Sequence, residues 1–367
     1  MNRELLSVIS HLPLLLVVAC LATTLAAAEP KPAPALPPVI AERLKGEDPA
    51  KVTKLDLQQS SVQDQDLAAL KELTQLQSLG LSHTKVSNAG LAHLKPLKQL
   101  QELWLLSTQT SGAGLAHLKP LTNLQRLYLG GAKVGDAGLE HLKAMTQLQV
   151  LDLGYTKISD AGLAHLKPLL QLRELALTKT QVSDAGLEHL KPLTQLQLLS
   201  LDGTHVSDAG LEHLKTMTNL HSLYLADTKV SGAGLKHLKP LTWLVWLDLI
   251  GTQVSDAGLE HLKPLTRLIS LNLTGTKVSD AGLVNLKPLT LLYQLFLKDT
   301  QVSDAGLEHL KTLTQLQYLE LYGTKVTKAG VDELKKHLPK CTIGWSLLKA
   351  PGSGGGGGGI SLLSRQR

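Results

Sequence analysis

The residue type in this sequence most able to do chemistry is a histidine that recurs in nearly every repeat, since imidazole binds metals and transfers protons near neutral pH. The histidines of this column stand at positions 93, 117, 141, 165, 189, 213, 237, 261 and 309. A zinc site needs ligands that converge on one ion at about 2.0 Å, whereas equivalent side chains of successive repeats run parallel. The column therefore favours structural packing, and we expect neither a metal nor another cofactor.

A hydrolase triad is the second chemistry that the sequence offers. Ser183, Asp184 and His189 are the residue types of such a triad, but the same set recurs in repeat after repeat. Nucleophilic catalysis needs one unique constellation with an oxyanion hole. Because the spacing is that of a helix cap, these residues predict structure, and we expect the protein not to be an enzyme.

A column of lysines offers a third chemistry, the binding of phosphate groups. The lysines stand at 95, 119, 143, 167, 191, 215, 239, 263, 287, 311 and 335. The chain is basic overall, with a formal net charge of +6. Many repeats, however, carry glutamate three residues earlier, as Glu188 before Lys191, and such pairs neutralise each other locally. We therefore expect no nucleic-acid partner.

One unit of 24 residues places all three columns. Its marker glycine stands at 90, 114, 138, 162, 186, 210, 234, 258, 282, 306 and 330. A paired Leu-x-Leu runs in step from 55/57 to 319/321, which gives twelve strand positions, and Ile343-x-Trp345 would close the stack. Repeats of this length are supersecondary units that stack to bury a shared core.

Each part of the unit has a physical role. Leu199 and Leu201 alternate with other side chains, which is the period of a strand buried on one face. The hydroxyl of Thr204 can satisfy backbone groups where the chain leaves the sheet. Ser207 or Asp208 then caps a helix of barely two turns, and the marker glycine lets neighbouring repeats approach closely.

The composition suits a thin and regular core. Hydrophobic residues make up 43% of the chain but aromatic residues only 3%, so leucine and valine must build it. The two cysteines, Cys20 and Cys341, exclude a disulfide framework and zinc sites of the CxxC type. The predicted fold class is α/β, a solenoid with a curved parallel sheet on its concave side and short helices on its convex side.

The run Val-Ser-Asp-Ala-Gly-Leu-Glu-His-Leu-Lys-Pro-Leu-Thr-x-Leu resembles the leucine-rich-repeat family. It is most similar to the 24-residue repeats of exported planctomycete proteins and to F-box-associated repeats, and the terminal segment 338–345 resembles the end cap of the bacterial proteins. The resemblance covers residues 50–345 and implies protein recognition. No F-box stands in the sequence, so a role in ubiquitin transfer is not implied.

The two ends of the chain differ from the repeats. Residues 1–28 are predicted to be a signal peptide, because an apolar run ends in small residues at Ala28. Alternatively, the segment ending at Cys20 resembles a bacterial lipobox, and a lipid there would tether the protein to a membrane. Residues 29–49 are predicted to be a proline-rich linker and N-terminal cap, 50–345 the repeat domain, and 346–367 a disordered glycine-rich tail.

The concave face carries the residues that vary from repeat to repeat, and aromatic side chains are concentrated there. Rings in wetted positions suggest binding anchors, because they bury much area with little loss of entropy. The predicted partner-binding residues are Trp104, Tyr128, Tyr155, Tyr224, Trp246, Phe296, Tyr318, Tyr322, Asp152 and Asp248. The alternative is that the rings stack on neighbouring strands and stiffen the sheet.

Two functions are consistent with this sequence. The first is an extracytoplasmic scaffold, secreted or in the cell envelope, that recognises an unidentified protein or peptide through its concave face. The second is an envelope structural or spacer protein or lipoprotein with no high-affinity ligand. Only a lipid on Cys20 would bring the protein to a membrane.

Overall fold

The structure is a computed structural model that describes residues 36–345. The predicted signal peptide, the alternatives of cleavage after Ala28 and lipidation of Cys20, most of the proline-rich linker and the glycine-rich tail all lie outside the described residues. No helix within residues 36–345 combines the length and the apolar character needed to cross a membrane.

Thirteen parallel strands form one sheet, in which each strand pairs with its neighbours in chain order. Leu199 lies opposite Leu175 on one side and Leu223 on the other, so the register advances by one 24-residue unit per strand. The predicted twelve strands and the closing thirteenth are confirmed. Strands β1 to β13 are Lys54–Asp56, Ser78–Gly80, Glu102–Trp104, Arg126–Tyr128, Val150–Asp152, Glu174–Ala176, Leu198–Ser200, Ser222–Tyr224, Trp246–Asp248, Ser270–Asn272, Gln294–Phe296, Tyr318–Glu320 and Thr342–Gly344.

Short helices cover the opposite side of the sheet, so the molecule is a solenoid with the strands on its concave side. Helices α1 to α11 are Pro38–Leu44, Asn88–Ala92, Gly112–Leu115, Asp136–Leu139, Asp160–Leu163, Asp184–Glu188, Asp208–Leu211, Asp256–Leu259, Asp280–Leu283, Asp304–Leu307 and Lys328–His337. The 3₁₀ helices are Pro49–Lys51, Asp66–Glu72, Ala116–Leu118, Glu140–Leu142, Ala164–Leu166, Glu212–Leu214, Gly234–Leu238, Glu260–Leu262, Val284–Leu286 and Glu308–Leu310.

Leucine and valine build the core, as predicted. In the repeat that contains β7, the side chains of Leu199, Leu201 and Val206 are fully buried. Helix α1 covers the N-terminal end of the stack with Ile40 and Leu44, which are also buried. A terminal repeat exposes a face that an interior repeat would cover, so such a cap is needed for solubility.

The threonine that follows most of the strands bonds to the backbone, also as predicted. Thr204 Oγ1 donates to the carbonyl of Leu201 at 2.6 Å, and Thr180 does the same to Leu177. The residue before this threonine has a positive φ, for example 57° at Tyr155 and 62° at Gly203. A left-handed residue therefore turns the chain away from the sheet, and its side chain stands at the rim of the concave face.

A second set of hydrogen bonds joins neighbouring repeats on the helical side. Asp184 accepts the backbone N–H of Ser207 at 2.7 Å and its hydroxyl at 2.6 Å. We call this series the aspartate–serine ladder. Its rungs are Asp64–Ser87, Asn88–Ser111, Asp136–Ser159, Asp160–Ser183, Asp184–Ser207, Asp208–Ser231, Asp256–Ser279, Asp280–Ser303 and Asp304–Thr327.

The ladder corrects the predicted role of Ser207 and Asp208 as side-chain caps of their own helix. Ser207 has the extended backbone of an N-cap residue, but its side chain accepts no hydrogen bond from the helix. Its hydroxyl donates instead to the carboxylate of the preceding repeat. Asp208 likewise bonds to Ser231 in the next repeat, so both side chains join repeats.

The marker glycine makes room for this carboxylate. A Cβ added to Gly162 would lie 2.4 Å from Oδ1 of Asp136, closer than real Cβ atoms come. The ladder is interrupted at Gly112 and Gly232, where a glycine replaces the aspartate. There the backbones meet directly, because a Cβ on Gly138 would lie 2.5 Å from Cα of Gly112.

Candidate functional site

Three residues of each repeat line the concave face. They are the first and third residues of the strand and the residue two positions further on, which we call the first, second and third columns. In β9 these residues are Trp246, Asp248 and Ile250. The strand leucine between the first two columns faces the core, so substitutions in the columns change the surface and leave the core intact.

An apolar group occupies the columns of β3 to β8. The ring of Trp104 stacks on that of Tyr128 with centroids 3.6 Å apart and planes 9° from parallel. Tyr128 packs with Val150, Ala176 and Leu198, all of which are buried, while Trp104, Leu106 and Tyr224 pack against their edges. We call these seven residues the concave cluster.

The exposure predicted for Tyr128 is wrong. Its ring is only 2% exposed, because Trp104 covers one face and the small or aliphatic side chains of the next strands surround it. For this pair the stacking interpretation describes the structure. We did not predict from the sequence that Val150, Ala176 and Leu198 belong to this cluster. The sequence does indicate it, because these columns carry polar or aromatic side chains in most other repeats.

Asp152 is likewise buried within this part of the sheet rather than exposed as predicted, with 2% of its surface accessible. Its Oδ1 accepts the backbone N–H of Gly154 at 2.9 Å. Gly154 occupies the third column of the same repeat. The carboxylate is therefore held against the backbone that leaves β5, and a partner on the concave face would reach its surroundings before it reached Asp152.

An acidic group lies next to the concave cluster, in the repeats that contain β7 to β9. Burial raises the pKa of Asp202 to about 6. Hydrogen bonds from the Ala226 N–H and from Ser200 lower this pKa, but their effect is smaller than that of burial. Burial also raises the pKa of Asp248 to about 7, and Asp202 and Asp227 add to that rise. Both carboxyl groups therefore change charge between pH 5 and 8.

Two aromatic side chains stand beside these carboxylates. Tyr224 on β8 lies opposite Asp248 on β9, and Trp246 lies between Ser222 and Ser270 in the first column. Trp246 is 41% exposed, and Tyr224 is half-buried. We call Asp202, Tyr224, Asp227, Trp246 and Asp248 the central site.

The remaining predicted residues lie outside the central site. Phe296 and Tyr318 pack against each other at the C-terminal end, with ring centroids 5.4 Å apart. The ring of Tyr322 lies close to Gly344 on the closing strand. Tyr155 occupies the left-handed turn after β5 and is 46% exposed. The ten predicted residues thus fall into separate groups along the sheet rather than one site.

Two residues of the supposed triad, Ser183 and Asp184, belong to the ladder. Ser183 donates its hydroxyl to Asp160 at 2.6 Å, and Asp184 accepts hydrogen bonds from Ser207. Between residues 36 and 345, no three His, Cys, Asp or Glu side chains stand close enough together to hold a metal ion.

The lysine column makes the local pairs that its spacing predicts. Lys191 lies 3.5 Å from Glu188, Lys215 lies 3.1 Å from Glu212, and further pairs of this kind recur along the helical side. These pairs are exposed, and they contribute little to stability. Their effect is to neutralise part of the basic column.

Comparison with known proteins bears on the repeat. A family model described as a leucine-rich repeat matches residues 121–143 and 144–166. Together with the parallel sheet of stacked strands, this match shows that the fold is a leucine-rich-repeat solenoid. Leucine-rich repeats are generally protein-binding scaffolds, and no catalytic family is indicated for this chain.

Two solved leucine-rich-repeat structures are similar to this one. An internalin of Listeria monocytogenes is 24% identical, with a TM-score of 0.66 over 85% of this chain and 94% of the internalin. A leucine-rich-repeat protein of Leptospira interrogans is 21% identical, with a TM-score of 0.59 over 75% of this chain and 74% of the other. At these identities the likeness establishes the fold alone. No curated protein sequence matches the chain.

Proposed function

We propose that this protein is an extracytoplasmic scaffold that binds a protein or peptide through its concave face, at the central site. The observation that carries the proposal is the position of Trp246, whose ring is 41% exposed on a sheet where Tyr128 is covered. A large ring that remains wetted beside a half-buried Tyr224 is the kind of anchor that dominates binding energy.

The charge of the central site favours a cationic ligand. Asp202, Asp227 and Asp248 lie within three consecutive repeats, and Lys179 is the cation paired with them, 3.9 Å from Asp227. Lysine or arginine side chains of a ligand would gain from approaching these carboxylates, since a cation in contact favours the ionised form. Neighbouring strands are about 4.8 Å apart, so the described sheet is long enough for a partner that buries about 800 Å².

The proposed location has its support in the sequence. The apolar run that ends at Ala28 has the length and the small terminal residues of a signal peptide. A lipobox at Cys20 would place the same repeats at a membrane surface. Either route delivers the concave face to a compartment outside the cytoplasm.

Affinity capture tests this function. The full chain and its Tyr224→Ser/Trp246→Ser double variant are immobilised and exposed to envelope and culture fractions of the source organism. Leu170→Thr is the matched control, because Leu170 is exposed, lies outside the repeats of the central site, and is replaced by threonine at the equivalent position of most repeats. Recovered proteins are identified by mass spectrometry.

We expect a partner that the unmutated protein and the control recover and that the double variant does not. A partner that the double variant recovers equally well would contradict binding at the central site. Failure of the unmutated protein to enrich any protein would favour the spacer function, in which stacked rings such as Trp104 and Tyr128 stiffen the sheet.

A further inference from the structure

The edge of the sheet where the strands begin is lined by amide side chains. Two positions per repeat form this edge, the residue before each strand and the residue two earlier. Gln101 N–H donates to the carbonyl of Gln77 at 2.8 Å, so the backbone ladder extends to the first of these positions. The amides are Gln75, Gln77, Gln99, Gln101, Asn123, Gln125, Gln147, Gln149, Gln171, Gln195, Gln197, Asn219, Gln315 and Gln317.

Three consecutive repeats replace these amides with five apolar or aromatic residues and one arginine. The residues are Trp243, Val245, Arg267, Ile269, Leu291 and Tyr293, which we call the edge patch. They occupy adjacent rungs, since Ile269 N–H donates to Val245 at 2.9 Å and Tyr293 N–H to Ile269 at 2.8 Å. In the following repeat both positions return to glutamine, so the patch is sharply bounded.

The edge patch is exposed. Trp243 is 47% accessible, Leu291 51% and Tyr293 48%. The guanidinium carbon of Arg267 lies 3.6 Å from the centroid of the Trp243 ring, a cation–π contact. Contiguous apolar surface of this kind marks an interaction site more often than scattered single residues do.

The fold does not require these apolar residues. Leu244, Leu268 and Leu292 lie between the two edge positions and are fully buried, just as Leu196 is in a repeat with glutamine at both positions. The core is therefore complete beneath both kinds of edge. Replacing the amides changes only what this edge presents to its surroundings.

The charge around the edge patch selects its occupant. Segments 239–247, 263–279 and 287–298 contain no aspartate or glutamate. Lys263 pairs with Glu260 at 3.9 Å, so the cations that give the patch its charge are Lys239, Arg267 and Lys287. A second copy docked by the same patch would bring like charges together. The chain's own residues 346–367 carry three cations and no carboxylate, so they do not complement the patch either.

We infer that the edge patch is a second docking surface and binds an acidic, amphipathic segment of a partner protein. Trp, Tyr and Arg are the residue types that dominate protein interfaces. Arg267 lies over one face of the Trp243 ring, so the patch places a cation among its apolar side chains. Three rungs about 4.8 Å apart suit the apolar side of one peptide, and the lysines suit its carboxylates.

Selection of peptides from a random phage-displayed library tests this inference. The baits are the full chain and an edge variant, Trp243→Gln/Val245→Gln/Arg267→Gln/Ile269→Gln/Leu291→Gln/Tyr293→Gln. This variant restores the side chain that most other repeats carry, so we expect it to fold, which circular dichroism and urea unfolding check. Leu170→Thr and Trp246→Ser serve as controls at other surfaces.

The expected result is a set of peptides in which Asp or Glu alternates with large apolar residues. These peptides should bind the edge variant roughly tenfold or more weakly than the unmutated protein, and bind both controls normally. Peptides without acidic residues, peptides that bind the edge variant unchanged, or no enrichment at all would overturn the inference. So would sedimentation with phosphatidylglycerol vesicles that the edge variant loses, because it would make a membrane the occupant.

The experiments can contradict binding at the edge patch and binding at the central site independently of each other. Trp246→Ser should abolish capture at the central site and leave selected peptides bound at the edge patch. The edge variant should do the reverse. Each surface therefore has its own variant and its own readout.

Discussion

Replacing Asp248 with asparagine should stabilise the protein, and the gain should depend on pH. Burial raises the pKa of Asp248 from 3.8 to about 7, and Asp202 and Asp227 add to the rise. Oδ1 of Asp248 accepts the N–H of Ile250 at 3.0 Å. Asn272 occupies the same column in the next repeat and accepts the N–H of Thr274 at 3.1 Å, so an amide fits this position without loss of the bond.

The size of the gain follows from the pKa. One pKa unit corresponds to 1.36 kcal/mol, so the rise from 3.8 to about 7 limits the cost of the ionised carboxylate at pH 8 to about 4 kcal/mol. Solvent still reaches part of the side chain and screens its charge, so we expect about 2 kcal/mol. The folded state holds the proton more tightly than the unfolded state. The cost is therefore absent below about pH 4, grows up to about pH 7, and is full above it.

Urea unfolding at pH 8 and near pH 4.5 measures this dependence for the unmutated protein and Asp248→Asn. Asp56→Asn is the matched control, because Asp56 makes the same bond to the N–H two residues on, at 2.9 Å, but is exposed. Near pH 4.5 the gain should shrink to about half of its value at pH 8 for an expected cost of about 2 kcal/mol, and to about a quarter for the full cost of about 4 kcal/mol. An equal gain at both pH values, or none at pH 8, would refute burial of the charge as its cause.

Two further predictions concern the repeat itself. In urea unfolding, Gly162→Ala should destabilise the protein by about 2 to 3 kcal/mol, because the added Cβ would displace Asp136 from the ladder. Gly135→Ala is the control, since a Cβ there would meet only a backbone oxygen at 3.9 Å. It should cost less than about 0.5 kcal/mol. Leu199→Ala should cost about 2 to 5 kcal/mol and separate the thermal transitions of the two halves, whereas one unshifted calorimetric transition would contradict the stacked-repeat description.

The fold could be predicted because each element depends on residues close in sequence. The alternation of Leu199 and Leu201 fixes a strand, and the position of Thr204 fixes the end of that strand, whatever the neighbouring repeats contain. The aspartate–serine ladder escaped prediction because its bonds join side chains 23 residues apart, as in Asp184 with Ser207. A local rule for helix caps fits both residues equally well.

The candidate site was predicted less well, for a related reason. Each aromatic residue was identified from its own column, but exposure depends on the neighbours across the strands. Tyr128 is covered because Trp104 stands at the same position of the preceding strand. Trp246 stays exposed because Ser222 and Ser270 flank it. The 24-residue period already sets the register of the strands, so the neighbours that decide the exposure of Tyr128 and Trp246 could have been read from the sequence.

In a protein built from near-identical units, a residue shared by every repeat reports on the fold, and specificity must lie where one repeat departs from the others. The histidine and lysine columns are shared, and the ladder and local ion pairs account for the polar residues around them. Two such departures, the central site and the edge patch, meet in the repeat that contains β9. Trp246 belongs to the concave face, and Trp243 lies three residues earlier on the adjoining edge. The central site is acidic and the adjoining edge patch is basic. A single partner could therefore bind both surfaces only if it placed a cationic segment on the central site and an acidic segment on the edge patch.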